Sequence, residues 1–297
     1  MSTLHVQGAV VVGVDVMPSS RLALAWAADE AALRRLPLHV VLSVEAPKPE
    51  GGSAELTSLW ASWVPAARTV YATMLEEERD FAIERHPGLT VVAELADGAP
   101  ADVLRARAPG SAMVVIGVRR GGVVQGLLSR ESRGKPPVTH APCPIVVVRE
   151  PEPVTPAPPH VVVGVDGSAV SSKAVRFAFE EAAFREARLI AVSAWQPSHL
   201  RSVSSEGAED EVRRVLVEST AGWQEEFPEV ELRHAVVRGH PVRVLSDAAA
   251  WAALLVVGSR GLGGFSGLLL GSVSQGLVHH ARCPLVIVQH PAGDPAD

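Results

Sequence analysis

The residues best suited to chemistry lie between Gly258 and Ser272, in the run GSRGLGGFSGLLLGS. Two residues separate Gly258 from Gly261, nine separate Gly261 from Gly271, and Ser272 follows directly. Glycines so placed let a backbone take φ > 0 or come within hydrogen-bonding distance of a ligand, which a Cβ would prevent. Ser272 reads as the cap of a helix opening at Val273-Ser274-Gln275, whose first amides have no partner inside the helix. Such an end attracts anions through those amides and through the positive end of the helix dipole. The chemistry on offer is phosphate binding by backbone, with a ligand-free βα connection as the alternative. Asp166, in GVDGS, is the second candidate. Its carboxylate can accept hydrogen bonds from ribose hydroxyls or an exocyclic amine, or serve the turn and the helix that Ser168 would cap.

These residues need elements to hold them. Leu254-Leu255-Val256-Val257, just before the glycines, is short and wholly apolar, as a parallel strand buried on both faces should be. A search for self-similarity shows a tandem duplication. VVVGVDVMPSS around Asp15 matches VVVGVDGSAVSS around Asp166, 151 positions on; Cys143 and Cys283, in HAPCPIVVV and HARCPLVIV, are 140 apart. The shrinking offset assigns the first copy an extra segment within Pro47 to Val64. Each copy alternates strand and helix: in the first, strands at Ala9–Val14, His39–Val44, Leu89–Leu95, Ala112–Ile116 and Ile145–Val148, with a helix from about Ala66 to Arg85. The second has strands at His160–Val165, Arg188–Ala194, Val230–Val237, Leu254–Val257 and Leu285–Gln289, with helices at Ser171–Glu186, about Asp210–Phe227, Pro241–Trp251 and Val273–His280. This rhythm implies right-handed βαβ crossovers and a parallel sheet covered on both faces. EPEPVTPAPP is too rich in proline for a helix or a central strand and reads as a stiff linker. The expected division is therefore 1–149, linker 150–159 and 160–297.

Composition narrows the function. With 47% apolar residues in 297, there is material for two cores. A net charge of −6 with dispersed Lys and Arg offers no field for nucleic acid. No apolar run reaches the 18 or so residues of a membrane span, and no signal-peptide pattern opens the chain, so a cytoplasmic protein with no membrane partner is expected. The two cysteines read as small buried residues, and His279 and His280 as dipole-compatible residues of a last helical turn. His240 stands nearer the binding edge.

The spacing G-x-x-G-x9-G-[ST], with V-G-V-D-G-S at Val163 to Ser168, V-x-G-x-P-x-x-x-L at Val237 to Leu245 and the closing CPLVIV, resembles the signature of ATP-binding universal stress proteins. The resemblance implies two Rossmann-like α/β domains, each a five-stranded, mainly parallel sheet ordered 3-2-1-4-5, with the fifth strand available for domain pairing or a homodimer. It implies ATP, accompanied by Mg²⁺, in the second copy: Gly164 and Asp166 at the nucleoside, Ala194 at adenine, and Gly258, Arg260 and Gly261 at ribose and α-phosphate. Gly271, Ser272, Val273 and Ser274 would then hold the phosphate chain. In the first copy Arg120 replaces Gly261, Arg130 and Glu131 fall on Gly271 and Ser272, and Val16-Met17 replaces Gly167-Ser168. That domain is expected to bind nucleotide weakly or not at all. The implied role is regulatory or sensory in a stress response, with slow ATP hydrolysis compatible but no dedicated catalytic apparatus. An enzyme adenylating a substrate and a nucleotide-independent dimerisation scaffold are the alternatives.

Overall fold

The computed structural model describes residues 7–15, 17–45, 54–118, 141–149, 158–196, 205–262 and 270–289, the side chains at 18, 54–64 and 205–206 excepted. The linker at 150–157, the first copy's glycine loop beyond Val118 with Arg120, Arg130, Glu131, Pro136 and Pro137, Val16, and the tryptophan side chains of 60 and 63 lie outside these residues. The chain divides into two compact units, Met1–Cys143 and Pro144–Asp297.

The first unit contains β1 (Val10–Val14), α1 (Pro18–Arg34), β2 (Leu38–Val44), α2 (Ala54–Arg85), β3 (Val91–Asp97), α3 (Pro100–Arg107) and β4 (Met113–Val118). Its strands run parallel in the order β3-β2-β1-β4. The second contains β5 (Ile145–Arg149), β6 (His160–Gly164), α4 (Ala169–Phe184), β7 (Arg188–Trp195), α5 (Ser205–Ala221), α6 (Trp223–Glu226), β8 (Leu232–Arg238), α7 (Pro241–Ala248), β9 (Leu254–Gly258), α8 (Ser272–His280) and β10 (Leu285–Val288). Here the order is β8-β7-β6-β9-β10-β5, parallel from β8 to β10 and antiparallel between β10 and β5. The fold is α/β with a mainly parallel sheet, and β5, which closes the first copy in sequence, packs with the second unit. The central valines Val10, Val11, Val12, Val161, Val162 and Val163 are fully buried, which is why these strands tolerate no polar alternation.

Several boundaries differ from the sequence reading, three of them by the most informative margins. Helix α2 begins at Ala54 and runs through Pro65, because the helix-forming residues around it outweigh one missing amide bond. The helix expected from Asp210 to Phe227 breaks at Gly222 into α5 and α6. Strand β8 starts at Leu232 and ends at Arg238.

The units also diverge inside. His39 on β2 is buried, its Nε2 lies 3.0 Å from Glu94 Oε2 on β3, and Arg107 at the end of α3 holds both Glu94 oxygens. Burial alone would raise the Glu94 carboxyl, but Arg107 and His39 hold it below its usual range. The same register in the second unit has Ile190 and Ala235, so one copy carries an ionic cluster where the other is apolar.

Cys143 and Cys283 are both buried, and burial pushes each thiol up to about 12. A thiol protonated at neutral pH and hidden from reagent is inert. Ellman's reagent at pH 8 is therefore expected to leave both unmodified in the native protein and to titrate both after unfolding; a rapid native reaction at either would contradict this. Among the described residues no helix is long and apolar enough to cross a membrane.

Candidate functional site

The strand order of the second unit reverses between β6 and β9. Doubly wound sheets take ligands beyond the carboxyl ends of the strands at such a point, because loops leaving in opposite directions open a crevice. A cavity of about 710 Å³ lies there, a volume suited to a small-molecule ligand. Gly164 ends β6, Ala194 stands just before the end of β7, Gly258 ends β9 with Arg260 and Gly261 following, and Gly271, Ser272, Val273 and Ser274 lead into α8. These residues and Asp166 all line this one cavity.

Asp166 is held through its amide and through both carboxylate oxygens. Its amide donates to Ser171 Oγ at 3.2 Å, its Oδ1 accepts from the Ser168 amide at 3.0 Å, and its Oδ2 accepts from the Leu262 amide at 3.1 Å. Ser168 caps α4 by accepting from the Ser171 amide at 3.2 Å. The first copy builds the same turn: the Asp15 amide donates to Ser20 Oγ and Asp15 Oδ1 accepts from the Met17 amide. The turn is thus common to both aspartates, while the bond to Leu262 ties Asp166 to the glycine loop as well.

Packing, not positive φ, explains Gly258 and Gly261. A Cβ on Gly261 would stand 2.2 Å from Asp166 Oδ2, and one on Gly258 would stand 2.9 Å from Val170 Cγ1. Neither residue is among the positive-φ glycines. Gly271 meets neither requirement: its φ is −67°, and an added Cβ would make an ordinary contact at 3.5 Å. It is also Gly271, rather than Ser272, that occupies the N-cap, so Ser272 is the first helical residue and the expectation of a serine cap is corrected. The chain turns into the helix one residue early, and glycine is an acceptable cap.

A hydrogen-bonded clasp sets this helix start. The Gly271 amide donates to Ser259 O at 2.8 Å, Ser259 in turn donates to Val288 O on β10 at 2.8 Å, and the buried Ser274 hydroxyl donates to the carbonyls of Ser259 and Gly271, each at 3.0 Å. The Ser274 hydroxyl hydrogen is therefore committed to the clasp; what Ser274 offers a ligand is its amide. The first helical bond runs from the Gln275 amide to Gly271 O, so the amides of Ser272, Val273 and Ser274 precede the ladder. Gly276 lets α8 lie close on α7, since a Cβ there would stand 2.6 Å from Val242 Cγ2.

Much of the remaining lining is apolar: Val165, Val192, Pro241, Leu245, Val257, Leu262 and Leu270. Among the described lining residues only Asp166 and Arg260 carry charge. Sequence reasoning did not place Ser171 here, although the Ser-Ser pair repeated at Ser19-Ser20 and Ser171-Ser172 was a signal for it. Pro241 and Leu245 stood in a quoted motif without a role; Leu262 and Leu270 carried no signal beyond the loop itself. His240 is the N-cap of α7 and does not line the cavity, and His279 and His280 are exposed in the last turn of α8.

A glycine loop and a helix start beside a cavity at the switch point of a doubly wound sheet, present in a duplicated α/β chain, define the class: a tandem protein of Rossmann-like domains. The universal stress protein family matches residues 8–149 and 159–289, and the chain belongs to that family. It is 36% identical over 296 residues to universal stress protein Rv2005c of Mycobacterium tuberculosis, covering 97% of this chain and 99% of that protein. It is 33% identical over 294 residues to Rv2623 of the same organism, covering 94% and 96%. The crystal structure of a universal stress protein from Archaeoglobus fulgidus shares the fold, with a TM-score of 0.63 at 15% identity over 97% of this chain and 98% of that one.

Proposed function

We propose that the second repeat binds an adenine nucleotide, ATP by preference, and that occupancy of this cavity sets the state of a regulatory protein of the stress response. The observation that carries the reading is the convergence on one cavity of an apolar wall, a carboxylate, a single arginine and the leading amides of α8. An apolar wall suits a base, the Asp166 carboxylate suits the nucleoside's donors, and Arg260 with the helix start suits phosphate. Asp166 is the one carboxylate among the described lining residues, too few for an all-protein metal cage. Mg²⁺ would arrive coordinated by the phosphates themselves. The first repeat is proposed to serve as scaffold: Met17, where the second repeat has the Ser168 cap, is 40% exposed and makes no side-chain cap. The protein is further proposed to act in the cytoplasm.

Protein purified without added nucleotide, denatured and chromatographed should release about one adenine nucleotide per chain, or bind one when ATP and Mg²⁺ are added back. No binding under either condition would overturn the reading and leave the scaffold alternative. Two nucleotides per chain at comparable affinity would overturn the assignment to the second repeat.

A further inference from the structure

Helix α8 is held at both ends, and the two ends are held by different parts of the sequence. Its start is fixed by the Ser259–Gly271–Ser274 clasp. Its last turn is met by Arg149, the final residue of β5, whose guanidinium donates to Val278 O at 2.8 Å. Val278 is buried, so its carbonyl, one of those left without an amide by the end of the helix, has little access to water. Arg149 satisfies it and sets a positive charge at the negative end of the helix dipole. Strand β5 brings Arg149 there by pairing antiparallel with β10, in register Ile145↔Ile287, Val146↔Val286 and Val147↔Leu285. The neighbouring carbonyl, Leu277 O, takes the Ala281 amide, so the end of the helix is closed by one backbone bond and one arginine.

We propose that Arg149 is a positioning residue for the phosphate-binding end of α8: by gripping the last turn it fixes where the helix, nine residues long, presents the amides of Ser272, Val273 and Ser274. The inference rests on the nucleotide reading of the cavity for its functional half and on geometry alone for its structural half. A helix of two to three turns is a short rigid segment, and its buried side chains Leu277 and Val278 sit in the turn that Arg149 grips. Release at one end is therefore felt at the other. It also gives the close of the first repeat a part in the second repeat's site, through a strand that belongs to one copy by sequence and to the other by packing.

The test uses the full chain with Arg149→Ala and Arg149→Lys, and measures ATP and adenosine binding by calorimetry and amide exchange across α8 without nucleotide. A charge-assisted hydrogen bond at a helix end predicts that Arg149→Ala weakens ATP by about tenfold, leaves adenosine within about twofold because adenosine has no phosphate to meet α8, and speeds exchange in the last turn of the helix. Arg149→Lys, which keeps charge and donor, should recover most of the ATP affinity. Equal losses for ATP and adenosine, or an unchanged ATP affinity, would overturn the proposal. If the wild-type chain binds neither ligand, the nucleotide reading fails by itself; exchange then decides the structural half, which stands if the last turn is faster in Arg149→Ala and falls if it is not.

Discussion

Gly261→Ala should lower ATP affinity by about 100-fold or more while the protein remains folded. The new Cβ would stand 2.2 Å from Asp166 Oδ2, a distance no Cβ contact tolerates, so either the loop or the carboxylate must move. If the loop moves, the Leu262 amide loses its acceptor and Arg260, one residue before the substitution, is carried away from the cavity. If the carboxylate moves, the turn bond from the Ser168 amide is lost instead. Either way one hydrogen bond to a charged group goes and at least one ligand contact goes with it, at about 1.5–3 kcal/mol each, and tenfold in affinity corresponds to about 1.4 kcal/mol. Stability should fall by about 1.5–3 kcal/mol, the cost of that internal hydrogen bond, which leaves a domain of ordinary stability folded. Gly271→Ala is the matched comparison. Its φ is already in a range alanine adopts and its Cβ meets nothing closer than 3.5 Å, so its cost is confined to a poorer helix cap and should stay within about threefold in affinity. Calorimetry on the two variants side by side checks the claim: equal losses would mean that the glycines act through backbone freedom after all.

That pair of glycines also shows what the sequence could and could not reveal. Position was legible: a fixed spacing beside an apolar strand marked Gly258, Gly261 and Gly271, and all three reached the cavity. Reason was not legible, since a glycine kept for φ and one kept for a neighbour's carboxylate look alike until the neighbour is placed. Asp166 is similar. Duplication pointed to it, because Asp15 recurs in the same turn, but the bond from Leu262 spans 96 positions and leaves no local pattern. The parallel sheet followed from the alternation of strand and helix, while its order was an implication of the family resemblance. His39, Glu94 and Arg107 escaped notice for the opposite reason: each is an ordinary residue within its own element, and only the pairing of β2 with β3 and the packing of α3 bring them together. A start at about Ala66 was too late for α2, because nothing nearby in sequence shows that the helix continues through Pro65, a residue type more usual at a boundary.

Asp166→Asn should weaken adenosine and ATP together, by about 10- to 100-fold, from the loss of one or two hydrogen bonds to a charged group. The substitution keeps shape and removes half of the acceptor capacity. An asparagine has a single carbonyl oxygen, which can serve the Ser168 amide or the Leu262 amide; its NH₂ then points a donor at the other donor. The turn has the shorter loop to close and a counterpart at Asp15, so the oxygen should stay with Ser168 and the glycine loop should be released at Leu262. Amide exchange at Leu262 in the absence of nucleotide should therefore rise in Asp166→Asn and in Asp166→Ala alike, which separates a fault in the loop from a fault in ligand contact. The joint loss of adenosine and ATP is the discriminating outcome, because Asp166 is proposed to meet the nucleoside's donors and the helix start to meet the phosphates. A variant that lost ATP but kept adenosine would place Asp166 at phosphate, where a carboxylate repels, and would reverse the orientation of the nucleotide proposed for this cavity. Binding unchanged in both variants would reduce Asp166 to the turn residue that Asp15 already is, and would leave Arg260 and the amides of α8 to hold the ligand alone.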